Sequence, residues 1–200
     1  GRTLFPGTGF TDEKGGPNAW GTVINIPLVP GVGDEGFLYI LENWILPKLQ
    51  EFQPEIVINS AGQDNHFTDP LASMNVSAQG YGKITELLKP DLAVLEGGYS
   101  IQGALPYVNM AILLALAGED YTGVVEPQKP KHKEVSGEAF LSFIHDLKKQ
   151  HENAKPNWVF RNEKYFPSGE WVYSEKDIFY DTHWFRERRK DYIRKCNHCG

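Results

Sequence analysis

Three side chains that could bind a metal or move a proton lie close together in one polar segment. Ser60-Ala-Gly-Gln-Asp-Asn-His-Phe-Thr-Asp-Pro70 holds Asp64, His66 and Asp69 within six residues. Carboxylates and imidazoles suit zinc and other hard or borderline cations. The same residues also fit a loop in which both aspartates cap turns and the histidine lies in solvent. A metal site and a plain polar loop therefore both stay open at this point.

A second candidate for chemistry is Tyr99, which comes directly after Gly97 and Gly98. The two glycines end an apolar run, Asp91–Glu96, that is typical of a buried strand. A tyrosine at a strand end can direct its hydroxyl into a cleft, although a lone tyrosine more often serves packing.

The apolar patterning predicts the elements that position these residues. Buried strands are predicted at Thr22–Pro27, Glu55–Ser60 and Asp91–Glu96, and helices over residues 34–49, 77–88 and 102–117. Such alternation is typical of a parallel sheet covered on both faces. Ligands of these sheets bind outside the carboxyl ends of the strands, where the loops of Asp69 and Tyr99 begin. We therefore expect the active site on those loops.

The composition changes near residue 126 of this 200-residue chain. Residues 1–126 hold 15 acidic against 5 basic side chains, and residues 127–200 hold 11 against 15. Five of the six histidines also follow residue 126. These changes predict one domain over residues 1–126 and an extension over residues 127–200. The acidic first part argues against non-specific nucleic-acid binding there.

Apolar runs and cysteine content bear on the compartment. No apolar run approaches the roughly 20 residues that a membrane span needs, so no membrane partner is expected. Two cysteines make no disulfide framework, which favours a reducing, cytoplasmic setting.

The extension shows three further patterns. A helix is predicted over residues 136–153, an aromatic, extended stretch over residues 158–180, and a basic helix that begins at Asp181 or Thr182 and ends near Lys195. The basic helix could contact nucleic acid or an acidic partner, or it could be a solvated face. Cys196 and Cys199 form a C-x-x-C pair, which fits half of a zinc ribbon or two reduced thiols.

Taken together, the segments of the first domain resemble the histone deacetylase family, including its acetoin-utilization and acetylpolyamine amidohydrolase relatives. The pieces occur in the family's order: Leu4-Phe-Pro-Gly-Thr-Gly9, Asn25-Ile-Pro-Leu28, Gly31-Val-Gly-Asp-Glu-Gly36, Ser60-Ala-Gly62, Thr68-Asp-Pro-Leu71 and Leu95-Glu-Gly-Gly-Tyr-Ser100. They match the C-terminal half of the family's domain. The resemblance implies a three-layer α/β/α parallel sheet of the arginase/deacetylase type, truncated on its N-terminal side, with a small α+β extension.

The resemblance also implies roles for single residues. Asp69 matches a zinc-binding aspartate, and Tyr99 matches the tyrosine whose hydroxyl steadies the oxyanion of the substrate. Asp64 and His66 then surround the metal without being its first ligands. Four positions match the apolar walls and backbone that border the acyl chain: Phe5, Val76, Gly97 and Gly98.

Two features depart from the family pattern. The family usually has glycine where this chain has Thr68, and a β-branched residue resists a positive φ. The family's Asp-x-His zinc ligands and His-His general base lie upstream of the Phe-Pro-Gly-Thr-Gly piece, whereas His66 is the only histidine of residues 1–126. Residues upstream of Gly1 would have to complete the zinc site, so we expect this chain to be inactive alone.

The expected function is therefore that of a fragment of a zinc-dependent deacetylase acting on acetylated lysine or acetylated polyamine-type amines. A sheet cut in this way exposes a strand edge and an apolar face, which favours a homo-oligomer or a domain swap. The alternative is a non-catalytic scaffold, in which the deacetylase-like sheet and the basic tail hold a partner.

Overall fold

A computed structural model describes residues 5–15, 19–154, 171–180 and 183–194, without the side chains at positions 171, 172 and 194. The chain forms two compact units, Leu28–Ile144 and a second that combines Gly1–Pro27 with His145–Gly200. Residues 127–144 belong to the first of these units, and the domain boundary predicted at residue 126 stays a prediction. There the Val135 N–H donates to the Gly31 carbonyl over 2.8 Å.

The first unit begins with a continuous helical stretch. Helix α1 (Asp34–Ile40) passes through a π-helical segment (Leu41–Ile45) into α2 (Leu46–Phe52). Gly33 occupies the N-cap position, and Asp34 is the first residue of the helix. The Asp34 carboxylate accepts hydrogen bonds from the backbone N–H and the hydroxyl of Ser77 over 2.8 and 2.6 Å.

Two of the three predicted strands form. Strand β1 (Ile58–Ala61) pairs in parallel with β2 (Leu92–Leu95), with Ala61 opposite Leu95. Residues 22–27 form no strand, so that prediction is wrong. A β-branched run favours a strand only where a neighbouring strand completes its hydrogen bonds, and none of the described strands pairs with residues 22–27. The three-layer arrangement itself stays a prediction.

Two helices pack against this sheet and against each other. Ser77 caps helix α3 (Ala78–Leu88), where its hydroxyl accepts from the Gly80 N–H over 3.0 Å. Helix α4 (Leu105–Ala117) ends at Gly118, whose φ is 73°. The buried core of the unit lies mainly between these elements and includes the following apolar side chains: Ala61, Val76, Ala78, Tyr81, Val108, Ala111 and Ile112.

The fifth helix and the last two strands follow. Helix α5 (Glu138–Asn153) confirms the helix predicted over residues 136–153. Strands β3 (Trp171–Tyr180) and β4 (Phe185–Arg194) form an antiparallel hairpin. The aromatic stretch that was predicted as extended is therefore a strand where the structure describes it.

The basic helix predicted up to Lys195 is wrong, because Phe185–Arg194 is strand β4. Its basic side chains lie opposite acidic ones of β3. Lys190 pairs with Glu175 at 3.1 Å and Arg188 with Asp177 at 2.9 Å. Cross-strand pairs of opposite charge stabilise a hairpin and outweigh the helical preference of Arg, Lys and Glu.

Within the ranges that the structure describes, no helix is long and apolar enough to cross a bilayer.

Candidate active site

Two loops that leave the carboxyl ends of β1 and β2 meet and form the candidate site. We call residues 62–75 the Asp69 loop and residues 96–104 the Tyr99 loop. Three hydrogen bonds join them. The Gln63 N–H donates to the Gly97 carbonyl over 2.5 Å, and the Tyr99 N–H donates to Asp69 Oδ2 over 2.8 Å. The hydroxyls of Thr68 and Ser100 lie 2.7 Å apart.

The Asp69 carboxylate is held by backbone amides. Its Oδ1 accepts from the N–H groups of Leu71 and Ala72 over 2.9 and 3.2 Å, and its Oδ2 accepts from Tyr99. A carboxylate has about four lone-pair directions, so one direction on Oδ2 stays available. A carboxylate oriented in this way fits a metal ligand that binds through one oxygen.

The Tyr99 side chain is 52% exposed and borders a cleft of 630 Å³. The cleft also includes Asp69, so the structure brings together the two residues predicted to do the chemistry. Its lining comes from the Asp69 loop, the Tyr99 loop and the segment after Glu126: Phe67, Thr68, Asp69, Pro70, Tyr99, Ser100, Ile101, Gln102, Gly103, Gln128, Lys129 and Lys131.

Gly97 and Gly98 allow the two loops to approach closely. A Cβ at Gly97 would lie 2.7 Å from Asp64 Oδ2 and 3.4 Å from the Tyr99 hydroxyl oxygen. A Cβ at Gly98 would lie 3.0 Å from the Cβ of Gln63. Both positions therefore lack room for a side chain on the loop-facing side. The predicted passage of an acyl chain along them stays a prediction.

Asp64 lies between the loops, close to Gly62 and Gly97. Burial raises the pKa of the Asp64 carboxyl above its usual value, a backbone hydrogen bond opposes that rise, and the charge of Asp69 adds to it. The carboxyl thus stands beside the metal-ligand candidate, and its own role near the metal stays a prediction.

His66 is completely buried, so the solvent-exposed histidine of the polar-loop interpretation is wrong. Its Nε2 contacts the Glu126 carboxylate, and its Nδ1 lies 2.9 Å from the Thr68 hydroxyl. Both ring nitrogens already have protein partners, which leaves neither free for a metal. His66 therefore supports the Asp69 loop from the inside.

Thr68 has no left-handed backbone, since the described non-glycine residues with positive φ are Gln53, Lys89 and Trp184. A β-branched residue at this position is therefore unstrained.

Sequence reasoning missed two residues of the site, Ser100 and Glu126. Glu126 is 60 residues from His66 along the chain. A long-range pair of this kind leaves no local pattern. The hydroxyl of Ser100, adjacent to Tyr99 in sequence, could have been singled out.

Two other predicted positions, Val76 and Phe5, are not among the described residues that line the cleft. Val76 is fully buried in the core and exchanges backbone hydrogen bonds with Asn65 and Phe67. Phe5 belongs to the second compact unit, where its ring centroid lies 5.7 Å from that of Tyr180. The tunnel roles of both stay predictions. Cys196 and Cys199 lie outside the described residues.

The part of the chain that the structure describes contains no group of three or more His, Cys, Asp or Glu side chains that could hold a metal ion. The role of Asp69 as one ligand of a zinc site stays a prediction.

Comparison with known proteins shows that this chain is similar to histone deacetylase domains. The family model described as "Histone deacetylase domain" matches residues 1–115. A probable deacetylase of Archaeoglobus fulgidus is 44% identical over 134 residues, which are 62% of this chain and 37% of that protein. Histone deacetylase 15 of Arabidopsis thaliana is 34% identical over 126 residues, 60% of this chain and 23% of that protein.

Two solved structures are also similar. The crystal structure of the HDA15 HD domain gives a TM-score of 0.62 at 29% identity and covers 74% of this chain and 40% of its own. The histone deacetylase Clr3 gives a TM-score of 0.62 at 25% identity, over 78% of this chain and 26% of its own. This chain thus spans well under half the length of the relatives and structures that it matches.

Proposed function

This chain belongs to the histone deacetylase family, and from that membership we propose that it forms the C-terminal part of a zinc-dependent deacetylase domain with the three-layer arginase/deacetylase fold. The observation that carries the proposal is the pairing of Asp69 with Tyr99. The backbone N–H of the tyrosine donates to the carboxylate of the aspartate at the edge of one cleft.

The substrate class that we propose is an acetylated amine, on a lysine side chain or a polyamine, and the reaction is hydrolysis of its amide bond. The names of the relatives support this class, since they include histone deacetylases and a probable deacetylase. A cytoplasmic location stays part of the proposal.

Asp69 would hold the zinc through Oδ2. Zinc held there would supply Lewis-acid chemistry, which would polarise an acyl oxygen and activate a water for attack. Three N–H donors fix the orientation of the Asp69 carboxylate. The Tyr99 hydroxyl donates to the acyl oxygen as negative charge develops on it. Because the Tyr99 amide is bound to the Asp69 carboxylate, the loop that carries the hydroxyl is anchored to the metal ligand.

Catalytic zinc usually has three protein ligands and a water. The described residues supply one, Asp69, and His66 has both ring nitrogens engaged. We therefore assign the remaining ligands and the general base to residues outside this chain. On this proposal the 200 residues alone are inactive. The full-length protein that contains them, which we call the full translation product, is active.

The experiment compares Tyr99→Phe and Asp69→Asn in that full translation product. Tyr99→Phe should lower kcat on an acetylated-lysine peptide by about 100-fold or more, because it removes one oxyanion donor, while bound zinc stays at the wild-type level. Asp69→Asn should lose zinc, measured by elemental analysis. Tyr39→Phe, in helix α1, is the matched control. Full activity of Tyr99→Phe would contradict the oxyanion role. Activity of the 200-residue chain alone would contradict the proposal that the other zinc ligands and the general base lie outside it.

A further inference from the structure

A continuous line of hydrogen bonds runs from the largely buried carboxylate of Glu126 to the cleft. Glu126 contacts Nε2 of His66, the Nδ1 of His66 lies 2.9 Å from the Thr68 hydroxyl, and that hydroxyl lies 2.7 Å from the hydroxyl of Ser100. We call these four residues the relay. The His66 ring is fully buried, and the Glu126 side chain is 11% exposed, so water competes little for these bonds.

The backbone determines which ring nitrogen of His66 carries the proton. The Thr68 N–H donates to His66 Nδ1, over 3.1 Å, so Nδ1 carries a lone pair and no proton. The ring proton then sits on Nε2 and is donated to Glu126. The Thr68 hydroxyl oxygen lies 2.9 Å from Nδ1, whose single lone pair the backbone N–H already engages, and either hydroxyl can be the donor in the bond between Thr68 and Ser100.

Both ends of the relay are anchored to helices. The same Glu126 oxygen that contacts His66 accepts from the N–H of Ala78, the first residue of α3, over 3.0 Å. At the other end, the Ser100 carbonyl accepts from the N–H groups of Ala104 and Leu105 at the start of α4.

The relay runs beside the bond that joins the two residues of the proposed reaction. Asp69 follows Thr68 in one loop, and Ser100 follows Tyr99 in the other. Thr68 is bonded to Ser100, and Asp69 is bonded to Tyr99. Two adjacent bonds resist rotation of one loop against the other, as a single bond cannot. Gly103 leaves space for this arrangement, since a Cβ there would lie 2.7 Å from the Ser100 hydroxyl and 2.8 Å from that of Thr68.

We propose that Thr68 and His66 are positioning residues, and that the relay holds Asp69 and Tyr99 in their relative orientation. This inference rests on the proposed function for its catalytic consequence. Thr68 supplies the hydroxyl at the position where the family that the sequence resembles usually has glycine, so the relay sets this chain apart within that resemblance.

The test uses Thr68→Val, which keeps the shape and removes the hydroxyl, and Thr68→Ser, which keeps the hydroxyl. Both are made in the full translation product. Thr68→Val should lower kcat on an acetylated-lysine peptide by about tenfold or more and leave KM within about threefold, because misplacement acts on the reacting geometry. Its zinc Kd, measured by chelator competition, should rise about tenfold. Thr68→Ser should restore both values to within about threefold.

Thr85→Val is the matched control. Thr85 is buried, and its hydroxyl donates to the Tyr81 carbonyl inside α3 over 2.9 Å. Loss of that bond should lower stability without changing kcat or zinc Kd. Equal effects of Thr85→Val and Thr68→Val on kcat, or failure of Thr68→Ser to restore it, would overturn the positioning role.

A readout independent of activity separates the two proposals. Hydrogen–deuterium exchange at the Tyr99 amide should quicken at least about fivefold in Thr68→Val and stay unchanged in Thr85→Val, since the loops then separate more often. If the wild-type protein neither binds zinc nor hydrolyses the peptide, the proposed function is wrong. The exchange rate of the Tyr99 amide still tests whether the relay holds the two loops together. Unchanged exchange in Thr68→Val would overturn the relay even in an active enzyme.

Discussion

The Asp69 carboxylate accepts from three backbone N–H groups, and one of them belongs to Tyr99. The backbone of both loops is therefore as much a part of the site as its side chains. Small changes in the space between the loops should act on the reaction, and Gly97 and Asp64 are the residues that occupy this space.

Gly97→Ala tests that space. The added Cβ would lie 2.7 Å from Asp64 Oδ2, so the carboxylate must move, at a cost to stability of about 1 kcal/mol. Activity of the full translation product should fall about tenfold, because the Tyr99 loop moves with Gly97. Gly123→Ala is the control, since a Cβ there meets nothing within 4 Å. Urea unfolding and kcat measure the effects, and equal behaviour of the two variants would contradict the prediction.

Asp64 also predicts a pH dependence. Burial, the largest cause, raises its pKa in the folded state, so the folded chain binds more protons than the unfolded chain above the ordinary carboxyl pKa. Stability should therefore fall as the pH rises from that value through the raised pKa. Asp64→Asn removes this loss, and its free energy of unfolding relative to wild type should grow as the pH rises toward neutral.

Asp120→Asn provides a control of opposite sign. Hydrogen bonds from Thr122 lower the pKa of Asp120, so its ionised form stabilises the folded state. The relative stability of Asp120→Asn should fall as the pH rises from the lowered pKa of Asp120 to the ordinary carboxyl pKa, and it should stay level above that pKa. Urea titrations at several pH values measure both variants. The same slope for both above the ordinary carboxyl pKa would show that the pKa of Asp64 is not raised.

At the scale of elements, helix α3 connects several parts of the site. Ser77 caps it through the Gly80 N–H, Asp34 of α1 accepts from Ser77, and Glu126 accepts from Ala78. The N-terminus of α3 is thus joined to α1 and to the relay. The position of the Asp69 loop depends on this helix end as well as on strand β1.

Ser77→Ala should lower the free energy of unfolding by about 1–2 kcal/mol, because it removes the cap and leaves Asp34 with one partner fewer. Ser73→Ala is the matched control, since that exposed side chain should matter by no more than about 0.5 kcal/mol. Denaturant unfolding of the two variants provides the comparison. A loss below about 0.5 kcal/mol for Ser77→Ala would contradict the capping role.

The hairpin of β3 and β4 bears on the alternative of a binding scaffold. Its Arg188 is bound to Asp177 through two nitrogen–oxygen contacts, and Lys190 to Glu175. Basic groups that are paired within the hairpin attract an external anion less strongly than free ones. The basic surface on which the scaffold hypothesis relied is therefore partly neutralised by its own acidic neighbours.

At the scale of the whole molecule, apolar side chains of both parallel strands are exposed. Ile58 is 59%, Leu92 51% and Leu95 69% exposed. Residues buried in a parallel sheet normally have a covering layer, so these positions favour contact with another chain or segment.

We expect the 200-residue chain to self-associate with rising concentration, measured by sedimentation velocity. Leu95→Glu should lower that association, because it places a charge among the exposed apolar strand residues. Val125→Glu, an equally exposed apolar position outside the strands, is the control and should leave the association unchanged. A wild-type chain that stays monomeric at all concentrations would contradict this expectation.

The sequence alone was sufficient for the family, for two strands and four helices, and for the placement of Asp69 and Tyr99 on loops at the same edge of the sheet. Each of these depends on local information. Apolar periodicity marks an element, a glycine pair ends a strand, and parallel strands bring the loops at their carboxyl ends together. The order of short motifs along the chain carried the resemblance.

Only the tertiary structure decided which interpretation of His66 holds and which groups join the loops. The partner of His66 lies 60 residues away, and burial of its ring follows from the packing of α3 and the segment around Glu126. The same limit explains the failed basic helix. Residues 185–194 have good helical propensity, but acidic partners on β3 stabilise them as a strand. Contacts between distant segments outweigh local preference, and a single sequence does not display them.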